Sequence, residues 1–202
     1  MISKFLNKNS EENDNNNNNQ STQKIRVNEI KSTDPNTNYQ DIVIDQNLKL
    51  ENSIFSQIHS KFANRIKLKY SKFRRIKIYV EPENIVEVAE FLKSNIGFDH
   101  AESVCGTDYP DDNSIEVIYH LNSYSREDLS SIIFALSTKT SRDEARLPSL
   151  ISIFNSVEYH ERETFEMLGV YFEGHPRNER FLLPEDWADI PPLRKDFHIK
   201  GR

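Results

Sequence analysis

Ile115-Glu116-Val117-Ile118-Tyr119-His120-Leu121 puts Ile115, Val117, Tyr119 and Leu121 on one side of an extended chain. That two-residue period reads as a half-buried strand. Tyr109-Pro110-Asp111-Asp112-Asn113, just before it, is a turn by composition. With a strand at about 100–108, residues 100–122 form a hairpin. Upstream, 73–80 alternates with Ile76, Ile78 and Val80 on one face, a second half-buried strand. Between the two, Pro82 opens a helix whose apolar stripe is Ile85, Val88, Ala89, Leu92 and Ile96, and Gly97 stops it. Ile54, Phe55, Ile58, Phe62 and Ile66 recur at helical spacing, so 53–67 reads as an amphipathic helix. Downstream, 125–141 reads as a short helical turn followed by a strand, and 143–148 as a loop. Residues 149–168 carry the longest helical pattern, with Leu150, Phe154, Val157, Phe165 and Leu168 near one face and Gly169 as the stop. This order predicts an α+β fold over 51–169, a two-layer domain of helices on a mainly antiparallel sheet.

The 202 residues are unevenly composed. Residues 1–50 hold 12 asparagines and few large apolar side chains. Such a segment cannot offset the entropy of ordering its backbone, so 1–50 is expected to be a disordered Asn-rich extension with one short extended piece at Ile42-Val43-Ile44. The longest apolar run, Ile132 to Leu136, is far shorter than the ~18–20 residues of a membrane helix. The first residues lack the apolar segment of a secretory signal. One cysteine, Cys105, makes no internal disulfide and cannot alone hold an iron–sulfur cluster; on a strand it reads as a small buried side chain. The formal net charge of −6 and the lack of a basic run argue against nucleic acid as a partner. The expectation is a cytoplasmic, reduced protein.

Residues 170–202 lose both periods. They hold four of the eight prolines together with Tyr171, Phe172, Phe181, Trp187 and Phe197. Aromatics and arginines on an extended, proline-stiffened backbone are the side chains that carry interface energy. This extended C-terminal tail requires a surface to lie on, its own domain's or a neighbour's.

The chain's charged and aromatic motifs lie close together. His160-Glu161-Arg162-Glu163-Thr164-Phe165-Glu166-Met167-Leu168-Gly169 crowds four charges onto the end of an apolar helix. Glu173-Gly174-His175-Pro176 follows, then Arg180-Phe181-Leu182-Leu183-Pro184-Glu185-Asp186-Trp187, then Pro191-Pro192-Leu193-Arg194-Lys195-Asp196-Phe197. In this order and spacing they resemble the 30-kDa subunit family of respiratory complex I, the C-type subunit of proton-pumping NADH:quinone oxidoreductase. Weaker resemblance extends over about 52–159. The Leu-Pro-Glu-Asp-Trp stretch and the double proline look like archaeal and cyanobacterial-type members. Glu179 departs from the family, which commonly has two adjacent basic residues there; Arg180 remains, with Arg177 nearby.

The resemblance implies a cofactor-free connecting subunit in the peripheral arm of an NADH dehydrogenase of the respiratory chain. Its tail would wrap the 49-kDa, D-type partner beside other peripheral-arm subunits. NADH or another donor, the iron–sulfur clusters and quinone would belong to neighbouring subunits. The location implied is the cytoplasmic side of the cell membrane, reached only through the complex. The residues implied for interface and structure are Glu161, Arg162, Glu163, Glu166, Gly169, Gly174, His175, Pro176, Arg180, Trp187, Pro192, Leu193, Arg194, Lys195, Asp196 and Phe197, with no catalytic or metal-binding residue among them. An equivalent subunit of a membrane-bound hydrogenase, or of a ferredoxin- or deazaflavin-fed complex, is the close alternative.

Read from the residues alone, Arg162 and Glu166 stand at i, i+4 and are expected to pair, within an ion network that meets Arg180 or Arg194. The alternatives are a plain solvated helix face and a stand-alone hydrolase using Glu161, Glu163 and His160. His160 and His175 lack the spacing of a helical metal motif, and His175 before Pro176 reads as a hydrogen-bonded turn residue.

Overall fold

The computed structural model describes residues 48–187 and 190–198. Apart from residues 48–50, the Asn-rich extension and its Ile42-Val43-Ile44 piece lie outside them.

Helix α1 (Lys49–Phe62) buries Ile54, Ile58 and Phe62 and ends earlier than expected. Ala63 takes φ 43° at its end, and Ile66 instead opens strand β1 (Ile66–Lys72). Lys67 and Lys69 alternate with Ile66 and Leu68 there, a period of two that pairing with β2 (Arg75–Val80) makes real. The β1–β2 turn is two residues long, with Arg74 at φ 60°. Helix α2 (Ile85–Phe91) follows a turn at Pro82 and runs into one wide turn ended by Gly97 in the left-handed region. Strands β3 (His100–Tyr109) and β4 (Ser114–Asn122) are the expected hairpin. After a turn at 126–131 comes β5 (Ile133–Ser141).

The sheet order is β1-β2-β5-β4-β3. It is mixed: β2 and β5 run parallel, and every other pairing in it is antiparallel. β5 enters between β2 and β4, so it completes the sheet over a long connection. One face carries Ile76, Ile78, Val80, Ile115, Val117, Tyr119, Leu121, Phe134 and Leu136, all buried in one core with the helices. The fold is therefore α+β in two layers. Among the described residues no helix packs on the other face.

Three expectations fail downstream. The loop over 143–148 contains β6 (Arg146–Pro148), which pairs in parallel with β7 (Tyr171–Glu173). The long helix shrinks to α3 (Glu158–Leu168). Leu150, Phe154 and Val157 are buried, but in successive tight turns whose i, i+3 and i, i+4 bonds imitate helical spacing. Val170 and Phe172, at the start of the expected tail, are fully buried in the body; burying a side chain such as Phe172 contributes roughly 1.5–3 kcal/mol. Cys105 is exposed, because it pairs with Ile118 on the open face.

Candidate functional site: the end of α3 and the segment that covers it

Gly106 of β3 lets α3 approach the sheet, since a Cβ there would lie 2.1 Å from Leu168 Cδ1. That closeness turns the inner face of α3 to Tyr119. Glu161 is fully buried on that face. Its Oε1 accepts the Tyr119 hydroxyl at 2.9 Å and the Leu150 N–H at 2.9 Å, and its Oε2 accepts the Ser149 hydroxyl. Burial raises its pKa, against the pull of Ser149, Leu150 and Tyr119. Glu161 thus ties the turn before α3 to β4. Glu163 is exposed on another side of the helix, as residues two apart must be. The structure therefore does not bring together the two carboxylates of the hydrolase reading.

Arg162 and Glu166 do not pair. Arg162 is buried, donates to the Glu179 carbonyl at 3.2 Å and lies 4.6 Å from the Phe181 ring centre. A weakly hydrated guanidinium stacks on such a ring favourably. Glu166 is 4% exposed and accepts three successive backbone N–H groups, from Phe181, Leu182 and Leu183, at 3.0, 2.9 and 2.6 Å. Burial would raise its pKa, but these donors and the nearby Arg180 hold it below the usual carboxylate range. A side chain that expects a cation here takes main-chain donors instead, and it fixes the path of the chain regardless of the side chains at 181–183.

Gly169 ends α3 at φ +75°. A Cβ there would stand 2.9 Å from Pro191 and 3.1 Å from Arg194. Arg194 Nε donates to the Leu168 carbonyl at 2.8 Å, and the Leu193 N–H to the Met167 carbonyl at 2.9 Å. A cation on the last carbonyls of a helix is favoured by its dipole. Beyond it, the Lys195 N–H donates to Asp108 at 2.8 Å, and Asp196 pairs with Arg142 at 2.9 Å. Arg142 also grips Asp108, at 2.7 and 3.2 Å, and it lowers the Asp196 pKa.

At the other end of α3, His175 accepts the Arg177 N–H at Nδ1 and donates from Nε2 to the Glu158 carbonyl. Gly174 sits beside it at φ +84° and Pro176 is exposed. Arg177 pairs with Glu158 at 2.6 Å. Trp187 stacks on Phe197 with ring centres 5.9 Å apart, and its carbonyl accepts Arg180 at 3.1 Å. Pro192 is half-buried beside Pro191. A cavity of about 200 Å³ between Glu166, Arg180, Trp187 and Pro191 remains under the segment.

The sequence pattern singled out neither Asp108, Arg142 nor Ser149, and it marked Tyr119 only as a core position of β4. Asp108 and Tyr119 offered one signal, a polar group placed by period two on a buried strand face. Chemically, the buried carboxylates Glu161 and Glu166 accept hydrogen bonds from donors of their own chain, which fasten the turn before α3 and the 181–183 segment to the body. Among the described residues no group of three or more His, Cys, Asp or Glu is placed to hold a metal ion. None of their helices is long and apolar enough to cross a membrane.

The arrangement is that of an α+β body strapped along its last helix by its own C-terminal segment. Residues 78–202 match the family of the respiratory-chain NADH dehydrogenase 30 Kd subunit, and the chain belongs to that family. It is 37% identical over 123 residues to the C subunit of F(420)H(2) dehydrogenase from Methanosarcina mazei, covering 61% of this chain and 75% of the relative. It is 41% identical over 124 residues to the C subunit of NADH-quinone oxidoreductase from Roseiflexus sp., covering 60% and 68%. It is 35% identical over 164 residues to the J subunit of NAD(P)H-quinone oxidoreductase from Prochlorococcus marinus, covering 80% and 92%. Among solved structures, a chain of the archaeal membrane-bound sulfane sulfur reductase matches with TM-score 0.65 at 28% identity, over 74% of this chain and 86% of that one. The trypsin-resistant fragment of Nqo5 shares the fold, with TM-score 0.53 at 21% identity, over 62% and 97%.

Proposed function

We propose that this chain is a cofactor-free connecting subunit of the peripheral arm of a proton-pumping, complex I-type oxidoreductase. In this reading it docks on a 49-kDa, D-type protein and supports electron transfer to quinone by holding its neighbours in place. Catalysis belongs to the assembly, on the cytoplasmic side of the membrane, and the isolated chain neither oxidises NADH nor binds flavin. One observation carries the reading. The strap, residues 180–187 and 190–197, is held to the body through main-chain donors and charged groups, which leaves Leu182 and Leu193, 51% and 61% exposed, facing outward. Apolar side chains held outward on a fastened backbone lose little entropy when a partner covers them. Deleting 176–202 tests this: the shortened chain is expected to leave the complex, and full assembly without those residues would refute the assignment.

A second reading stays close. The relatives include a subunit of an F(420)H(2) dehydrogenase and a similar chain of a sulfane sulfur reductase, so the electron donor of this complex need not be NADH. The subunits encoded beside it decide this: a flavoprotein NADH-oxidising subunit supports the first reading, and its absence the second.

A further inference from the structure

The open face of the sheet is cationic. Residues directly paired across antiparallel strands project to the same side. Register therefore puts Lys67 beside Tyr79, Lys72 beside Arg75, and Lys139 beside Glu116. Arg75 and Lys77 alternate with the buried Ile76 and Ile78, so they point away from the helices. The Lys69 ammonium lies 5.2 Å from the Tyr79 ring centre, on the same side.

Carboxylates on this face are few. Glu116 takes Lys77 at 2.8 Å, Glu81 stands 3.6 Å from Lys67, and Asp112 is 3.5 Å from Lys139. Lys69, Lys72 and Arg75 are exposed and have no ion pair among the described residues. A chain of net charge −6 thus shows a positive strip across β1, β2 and β5. The charges feel one another: burial and then Lys67 lower the Lys69 pKa, with Lys139 and Lys77 adding to the effect against Glu116. Ile133, 39% exposed, and the half-buried Ile118 lie among the cations.

We propose that this face docks an acidic segment of a partner polypeptide, whose carboxylates meet Lys69, Lys72, Arg75 and Lys139. A polypeptide can alternate carboxylates with apolar side chains and so match cations interleaved with isoleucines. A nucleic acid presents an unbroken run of phosphates to a chain that is acidic as a whole. The face lies across the sheet from α3 and its strap, so it is a second surface and stands independently of the docking proposed for the strap.

Lysine acetylation of the purified native complex, compared with the isolated full chain, tests this. Lys69, Lys72 and Lys139 are expected to react about tenfold more slowly in the complex, as charged groups covered by a complementary partner. A zero-length carbodiimide is expected to join at least one of them to an Asp or Glu of another subunit. Equal reactivity in both states overturns the proposal. So does protection that disappears on delipidation or nuclease treatment, which would assign the strip to anionic lipid or nucleic acid. The triple variant K69E/R75E/K139E is expected to enter the complex about tenfold less, because like charges then face each other. Normal incorporation of that variant overturns the proposal; should the variant not fold, the footprint of the native chain decides.

Discussion

Asp108 at the end of β3 accepts the backbone N–H of Lys195 at 2.8 Å, across 87 positions of the chain. Arg142 closes the junction by gripping both Asp108 and Asp196. The strap is therefore fastened at three places: by Glu166 to 181–183, by Leu193 and Arg194 to the end of α3, and by Lys195 and Asp196 to this junction.

Glu166→Ala leaves the N–H groups of Phe181, Leu182 and Leu183 without their acceptor. Losing hydrogen bonds to a charged acceptor costs roughly 1.5–3 kcal/mol, less where water reaches these part-buried donors, and the loss should appear locally. Trp187 is the sole tryptophan and lies in the strap, so its emission is expected to shift red while the far-ultraviolet circular dichroism of the body is kept. Faster amide exchange confined to 181–183 would identify the same event.

Acid should release the strap before it unfolds the body. Glu166 is held below its usual pKa because its three donors and Arg180 overcome burial. Its contribution is present above the unfolded carboxylate value of about 4.3 and is lost as pH falls through the lower folded value. Glu161 has the opposite sign. Burial raises its pKa, so its contribution is full below about 4.3 and fades as pH rises through the folded value. On titration from pH 7 downward, Trp187 emission is expected to move below about pH 4 while the Glu161 anchor between α3 and β4 persists. Glu166→Gln should lose that step.

Two glycines separate strain from contact. Gly174→Ala adds a left-handed alanine with no atom within 4 Å of the new Cβ, at a cost of roughly 1–2 kcal/mol. Gly169→Ala adds the same strain and also drives a Cβ into Pro191 and Arg194. Both should lower the thermal midpoint, and only Gly169→Ala should shift Trp187 emission.

Much of the fold was legible because the β3–β4 hairpin and α2 express their burial as clean periods. Periodicity misleads where two geometries share a spacing. Leu150, Phe154 and Val157 sit in turns that repeat every three or four residues, as a helix does. Ile66 fits both the end of α1 and the start of β1, and only pairing with Val80 decides between them. At the strap the motif residues were visible, but their partners were not. Glu166 and Arg162 bind backbone groups of 179–183, which no side-chain pattern encodes. Asp108 and Arg142 meet only once β3 and the end of β5 are brought close together by the fold.

Arg142→Ala should loosen the far end of the strap. It frees Asp196 and leaves Asp108, 3% exposed, without its cation. A lower thermal midpoint and faster exchange at the Lys195 amide are expected. Arg142→Lys should restore the charge but not the two-pronged grip, and so recover only part of the loss.

In the proposed function the strap presents an adhesive face to another subunit. Leu182→Asp together with Leu193→Asp alters two exposed side chains whose backbone bonds to Glu166 and Met167 stay available. Co-purification of this double variant, made in the whole chain, with the proposed 49-kDa, D-type neighbour decides the matter. A folded variant with unchanged Trp187 emission that no longer co-purifies is the predicted result; stoichiometric co-purification would contradict the account.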